Sequence, residues 1–80
     1  MKAWVHVRLK PEVLDPQGKA IARACGSLGY KEVRGARQGK LFELDLDVDD
    51  AERARALVTE IGEKLLANPV IEDFELFRLE

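Results

Sequence analysis

From Lys2 to Lys10 the chain alternates: Ala3, Val5, Val7 and Leu9 are apolar, while Lys2, His6, Arg8 and Lys10 are polar and share their side with Trp4. A period of two with one apolar side predicts a half-buried strand. Asp15-Pro16 carries helix-start chemistry. The carboxylate accepts N–H groups orphaned in a first turn, and proline lacks only a donor that the helix leaves unused there. Ala20, Ile21, Ala24, Cys25 and Leu28 recur at helical spacing, and Gly29 suits a left-handed C-terminal cap, so a helix is predicted over 16–28.

A short strand is expected over Glu32 to Arg37, turning at Gln38-Gly39, where glycine accepts the positive φ a hairpin demands. The returning strand has Phe42, Leu44, Leu46 and Val48 alternating with Glu43, Asp45 and Asp47. Asp49 with Glu52 three residues on has the spacing of a capping box. Ala54, Leu57, Val58, Ile61 and Leu65 form the apolar stripe of a second helix, stopped near Ala67-Asn68-Pro69 because proline clashes with a continuing helix. Val70 to Leu79 reads as a last strand. Phe74 and Leu76 would lie opposite Phe77 and Leu79 in a regular strand, so either a bulge shifts the register or both faces are covered.

The order β-α-β-β-α-β predicts an α+β, ferredoxin-like split βαβ domain over residues 1–80, a four-stranded antiparallel sheet with two helices on one face. Right-handed crossovers bring three turns to one end: the Lys10 to Leu14 loop, the Gln38-Gly39 tip and Asn68-Pro69. That clustering marks a recognition end. The helix-free face receives Trp4, His6, Arg8, Leu41, Glu43, Asp45 and Asp47, with His6 and Arg8 set beside Glu43 and Asp45. Such a face is either a solvated charged surface or a subunit contact anchored on Trp4 and Leu41. A chain of 80 residues buries only about 60–65% of its unfolded surface, which favours self-association.

Composition removes several functions. Net charge is −2, and Trp4 stands among acids, which argues against a base-stacking RNA sheet. No run approaches a membrane span, and the N-terminus enters a strand instead of a signal-peptide core, so a cytoplasmic location is expected. Cys25 has no partner cysteine and lies on a helical apolar stripe, the pattern of a buried structural thiol. Ser27 and Thr59 lack a histidine neighbour in sequence. His6, the sole histidine, reads as a salt-bridged or interfacial group before it reads as a base. Asp45, Asp47, Asp49 and Asp50 imitate a calcium loop, but Asp50 and Ala56 occupy positions that need glycine and glutamate. No catalytic, cofactor or metal set results. A dimeric, small-molecule-binding regulatory domain remains open as an alternative.

The runs Val13-Leu14-Asp15-Pro16-Gln17-Gly18, Gly39-Lys40 with Glu43, and Glu63-Lys64-Leu65-Leu66-Ala67-Asn68-Pro69-Val70-Ile71-Glu72-Asp73-Phe74 together resemble the PurS family across essentially the whole chain. PurS is the small subunit of phosphoribosylformylglycinamidine (FGAM) synthase in purine biosynthesis. The resemblance implies a homodimer or higher homo-oligomer without an active site of its own. It would bridge a glutaminase subunit and a large synthetase subunit and support ammonia transfer between them. ATP and Mg would belong to the synthetase, which converts formylglycinamide ribonucleotide (FGAR) to FGAM.

On that basis Asp15, Pro16, Gly18, Arg37, Gly39, Lys40, Asn68 and Pro69 are partner-interface candidates, and Trp4, His6, Arg8, Leu41 and Glu43 are self-association candidates. Gly18 in a first helical turn costs about 1 kcal/mol against alanine, which points to close approach of another backbone. Gly39 is assigned to the hairpin, with Arg37 and Lys40 beside it available to acidic or phosphate groups. Asn68 either caps the second helix or meets a partner.

Overall fold

The computed structural model describes residues 1–80. Strand β1 (Lys2–Leu9) is central, flanked by β2 (Gly39–Asp45) and β3 (Glu72–Leu79) in the order β2-β1-β3, antiparallel throughout. Helix α1 (Pro16–Ser27) lies between β1 and β2, and helix α2 (Ala51–Ile61) between β2 and β3. The alternation of β1 is realised strictly: Ala3, Val5 and Val7 are buried on the side where Ala54 and Val58 of α2 pack. Ala54 and Val58 are four apart, so both meet the sheet from one helical face.

The expected strand over Glu32 to Arg37 is absent, which leaves three strands instead of four. Residues 32–38 run without regular structure, held by local contacts such as Val33 N–H to the Tyr30 carbonyl (3.3 Å). Val33 is the only large apolar residue in 32–37 and remains exposed, so no apolar side exists to drive that stretch onto a sheet. The Gln38-Gly39 hairpin disappears with it. Gly39 begins β2 opposite Arg8, and Gly29 is the one residue with positive φ, at 94°, as its place after α1 requires.

The two helices do not share a sheet face. Packing on the sheet runs through α2, whereas the only buried residue of α1 is Gly18. Ile21 is 47% and Leu28 74% exposed, and Cys25 is half-buried instead of sealed in a core. The shape follows: extents of 47 × 26 × 13 Å and a radius of gyration of 15.8 Å, against about 12 Å for a compact chain of this length.

Two further boundaries shift. Asp50, not Asp49, caps α2, its carboxylate accepting from Glu52 N–H at 3.2 Å. Beyond Ile61 the helix widens through Gly62–Leu66, where Ala67 N–H reaches the Gly62 carbonyl five residues back at 3.0 Å. Gly62 sits in that turn because the Phe74 ring occupies the space of a Cβ. In β3 the register slips between Trp4, opposite Arg78, and Val5, opposite Leu76. Phe77 is therefore the bulged residue, pushed outward and 65% exposed, while Phe74, Leu76 and Leu79 stay on the side of α2.

Candidate functional site

The end expected to gather the turns does so. Lys10 N–H bonds the Ile71 carbonyl at 2.9 Å, joining the loop after β1 to the turn before β3. Arg37 closes the same end from the other side, donating through Nη1 to the Val13 carbonyl (3.1 Å) and through Nη2 to that of Lys10 (2.9 Å). Its fork thus holds a loop of its own chain.

Asp15 is the centre of this end. Its Oδ1 accepts from Gly18 N–H at 2.9 Å, the cap that Asp15-Pro16 predicts, and Pro16 takes the first helical position. Its Oδ2 accepts from Gln38 N–H at 2.7 Å, 23 residues away. The carboxylate is buried, 4% exposed, and its pKa lies below the ordinary carboxylate value. The N–H bonds from Gln38 and then Gly18 favour the charged form, and the Arg37 charge adds to them against desolvation. Gly18 is explained in the same place, since a Cβ there would run into the Ala36 carbonyl oxygen and Asp15 Oδ2. The backbone that approaches it belongs to the chain itself.

Gly39 has a packing role, with Val7 O and His6 Nε2 each 2.9 Å from where a Cβ would stand. Lys40 Nζ lies 3.8 Å from Glu72 Oε2, so it is not a free charge. Glu72 also takes the Asn68 N–H on Oε1 at 2.7 Å. The Asn68 side chain accepts from Val70 N–H (3.1 Å), and its carbonyl accepts from Glu72 N–H (2.7 Å). Asn68 therefore shapes the turn into β3 and leaves the end of α2 to the wide turn, with Pro69 exposed in the bend. Sequence reading gave no role to Glu72 or Ala36 and gave Gln38 only a hairpin turn, because Gln38 and Ala36 act through backbone groups and Glu72 by a lateral contact across β1.

On the open sheet face, His6 Nδ1 is 3.7 Å and Arg8 Nη1 3.2 Å from Glu75 Oε1. The acid beside both is thus Glu75 of β3. Glu43 stands opposite Trp4 and pairs with Lys2 at 3.2 Å, and Asp45 stands opposite Lys2. Arg78 places its guanidinium 5.4 Å from the Trp4 ring centroid. Leu41 (58% exposed) and Phe77 form an apolar spot next to His6.

These elements can be compared with known proteins. The family model described as "PurS: Phosphoribosylformylglycinamidine (FGAM) synthase" matches residues 2–80. The chain belongs to the PurS family. It is 53% identical to the Mycobacterium leprae PurS subunit, covering 96% of this chain and 94% of that protein, and 49% identical to the Bacillus subtilis PurS subunit, covering 91% and 86%. Among solved structures, Methanocaldococcus jannaschii PurS superposes with a TM-score of 0.86 at 37% identity over 99% of this chain and 98% of that one. A chain in the structure of PurLQS from Thermotoga maritima superposes at 0.84, with 30% identity over 99% of each. Family membership thus rests on sequence and fold together, over the whole length described.

Proposed function

We propose that this chain is a non-catalytic assembly subunit of FGAM synthase. It bridges the glutaminase and synthetase subunits while ammonia passes between them in the ATP- and glutamine-dependent conversion of FGAR to FGAM. The observation that carries this reading is the likeness to a chain of the Thermotoga maritima PurLQS structure over 99% of both chains. The geometry agrees with it. Helix α1 shows Ile21 to solvent, as does Leu28 at its C-terminal cap, and an apolar helical side uncovered by its own sheet is built for a partner. The recognition end is preset by Asp15 and Arg37, which hold its loops through backbone groups. A rigid surface of that kind can keep two catalytic partners in register.

ATP and Mg are assigned to the synthetase partner, and the assembly to the cytoplasm, as befits a soluble metabolic ligase. No helix is long and apolar enough to cross a membrane. The alternative of a dimeric regulatory domain for small metabolites is disfavoured by the family match. A tagged pull-down from source lysate with Mg-ADP and glutamine is expected to recover a glutaminase and an ATP-dependent synthetase. Recovery of neither, with the chain only self-associated, would overturn the bridging role.

A further inference from the structure

Charge is segregated along this molecule. Asp45, Asp47, Asp49, Asp50 and Glu52 crowd the junction of β2 and α2, whereas Lys19, Arg23, Arg34 and Arg37 all line one open cleft of about 610 Å³. One wall of the cleft is α1, where Lys19 and Arg23 stand four apart and therefore on one face. The other wall is the irregular segment carrying Arg34 and Arg37. None of these four side chains is ion-paired, whereas of the cations elsewhere Lys2, Arg8, Lys10, Lys40, Lys64 and Arg78 are paired and Lys31, Arg53 and Arg55 are not. Two carboxylates reach the cleft, Glu12 and Asp15, and both oxygens of Asp15 are engaged by backbone N–H groups. The cleft thus sets four cations against two carboxylates, an excess of positive charge that an anion seated there would offset.

We propose that this cleft binds a phosphate-bearing ligand of mononucleotide size. Its volume is within the range of small-molecule sites. Arginine forks match phosphate oxygens two at a time, and Arg23 and Arg34 have no hydrogen-bond or ion-pair partner of their own, whereas the Arg37 fork is taken up by the carbonyls of Val13 and Lys10 and adds charge to the cleft. Val13, Leu14 and Ala22 supply apolar wall for a sugar or base, and Leu14 is 73% exposed with nothing of its own chain covering it. A ligand spanning both walls would fasten α1 to the 34–37 segment, where Asp15 and Gly18 now make the join. This site goes beyond the assembly role and is tested on the isolated full-length chain, so either reading can fail without the other.

The test is an amide chemical-shift titration with ADP, ribose 5-phosphate and pyrophosphate in parallel. Saturable shifts confined to residues 12–23 and 34–38 are expected. R23Q and R34Q should each weaken ADP binding about tenfold, as expected for loss of a charged hydrogen-bond pair. Arg55→Gln, which removes an unpaired cation from α2 outside the cleft, should leave affinity unchanged. Tighter binding of ADP than of pyrophosphate assigns the apolar wall to the nucleoside, and equal binding of all three probes assigns the site to phosphate alone. Failure of all three to saturate at millimolar concentration, shifts scattered over the surface, or an equal loss in R55Q would overturn the proposal. The spectra themselves report whether each variant is folded.

Discussion

Asp15 Oδ2 accepts the backbone N–H of Gln38 at 2.7 Å, so one buried carboxylate both caps α1 and ties the entry of β2 to it. Because the folded pKa of Asp15 is depressed, its stabilising contribution is fully present above the ordinary value of 3.8. The contribution is lost as pH falls from there through the lower folded value. Thermal midpoints measured from neutral pH downward should therefore drop below about pH 4, and Asp15→Asn should flatten that part of the profile. An unchanged profile in the variant would mean that other carboxylates govern acid unfolding.

Gly18 and Gly26 lie in the same helix and should respond to alanine with opposite signs. A Cβ at Gly18 meets the Ala36 carbonyl, whereas one at Gly26 meets nothing within 4 Å. Gly18→Ala is expected to cost about 1–3 kcal/mol by forcing backbone apart, and Gly26→Ala to gain about 0.5–1 kcal/mol from helix propensity. Urea unfolding of the two variants checks both.

Val58 is 1% exposed under the sheet and Ile21 is 47% exposed on α1. Val58→Ala should cost about 2 kcal/mol in unfolding. Ile21→Ser should cost well under 1 kcal/mol in a monomer yet lower the recovery of partner subunits in the pull-down. Comparable losses of stability from both would show that the apolar side of α1 is covered in solution by another copy.

Lys40→Met tests the recognition end more cleanly than Lys40→Glu. Lys40 is 63% exposed while its partner Glu72 is 13% exposed and holds the Asn68 turn, so glutamate at 40 would set two acids together. Lys40→Met should change stability by less than about 1 kcal/mol. If assembly also persists in Lys40→Met, the contact with partners runs through other residues of that end.

Where a stretch of chain carried both an apolar period and a start or stop signal, it could be read directly. Strand β1, the Asp15-Pro16 start of α1 and the stripe of α2 as far as Ile61 are of that kind, although Leu65, counted in that stripe, is 77% exposed. For the last strand, Phe74, Leu76, Phe77 and Leu79 left a bulge and two covered faces equally open, and the structure decided for the bulge. The segment over 32–37 had neither period nor apolar content, and a hairpin drawn from Gln38-Gly39 alone did not form. At the candidate site, Asp15 and Gly18 were visible as residues. Their partners, Gln38 N–H and the Ala36 carbonyl, were not, since a backbone group has no residue type to read.

Local chemistry, written in order along the chain, determined β1, β2 and β3, both helices and the family they compose, but not the number of strands in the sheet. Tertiary structure alone decided that α1 stands away from the sheet and that Arg37 folds back onto the carbonyls of Val13 and Lys10. It also decided that four cations meet across one cleft. The reason is physical: periodicity states which side of an element is apolar, but which surface covers that side is settled only when distant elements compete for it in space.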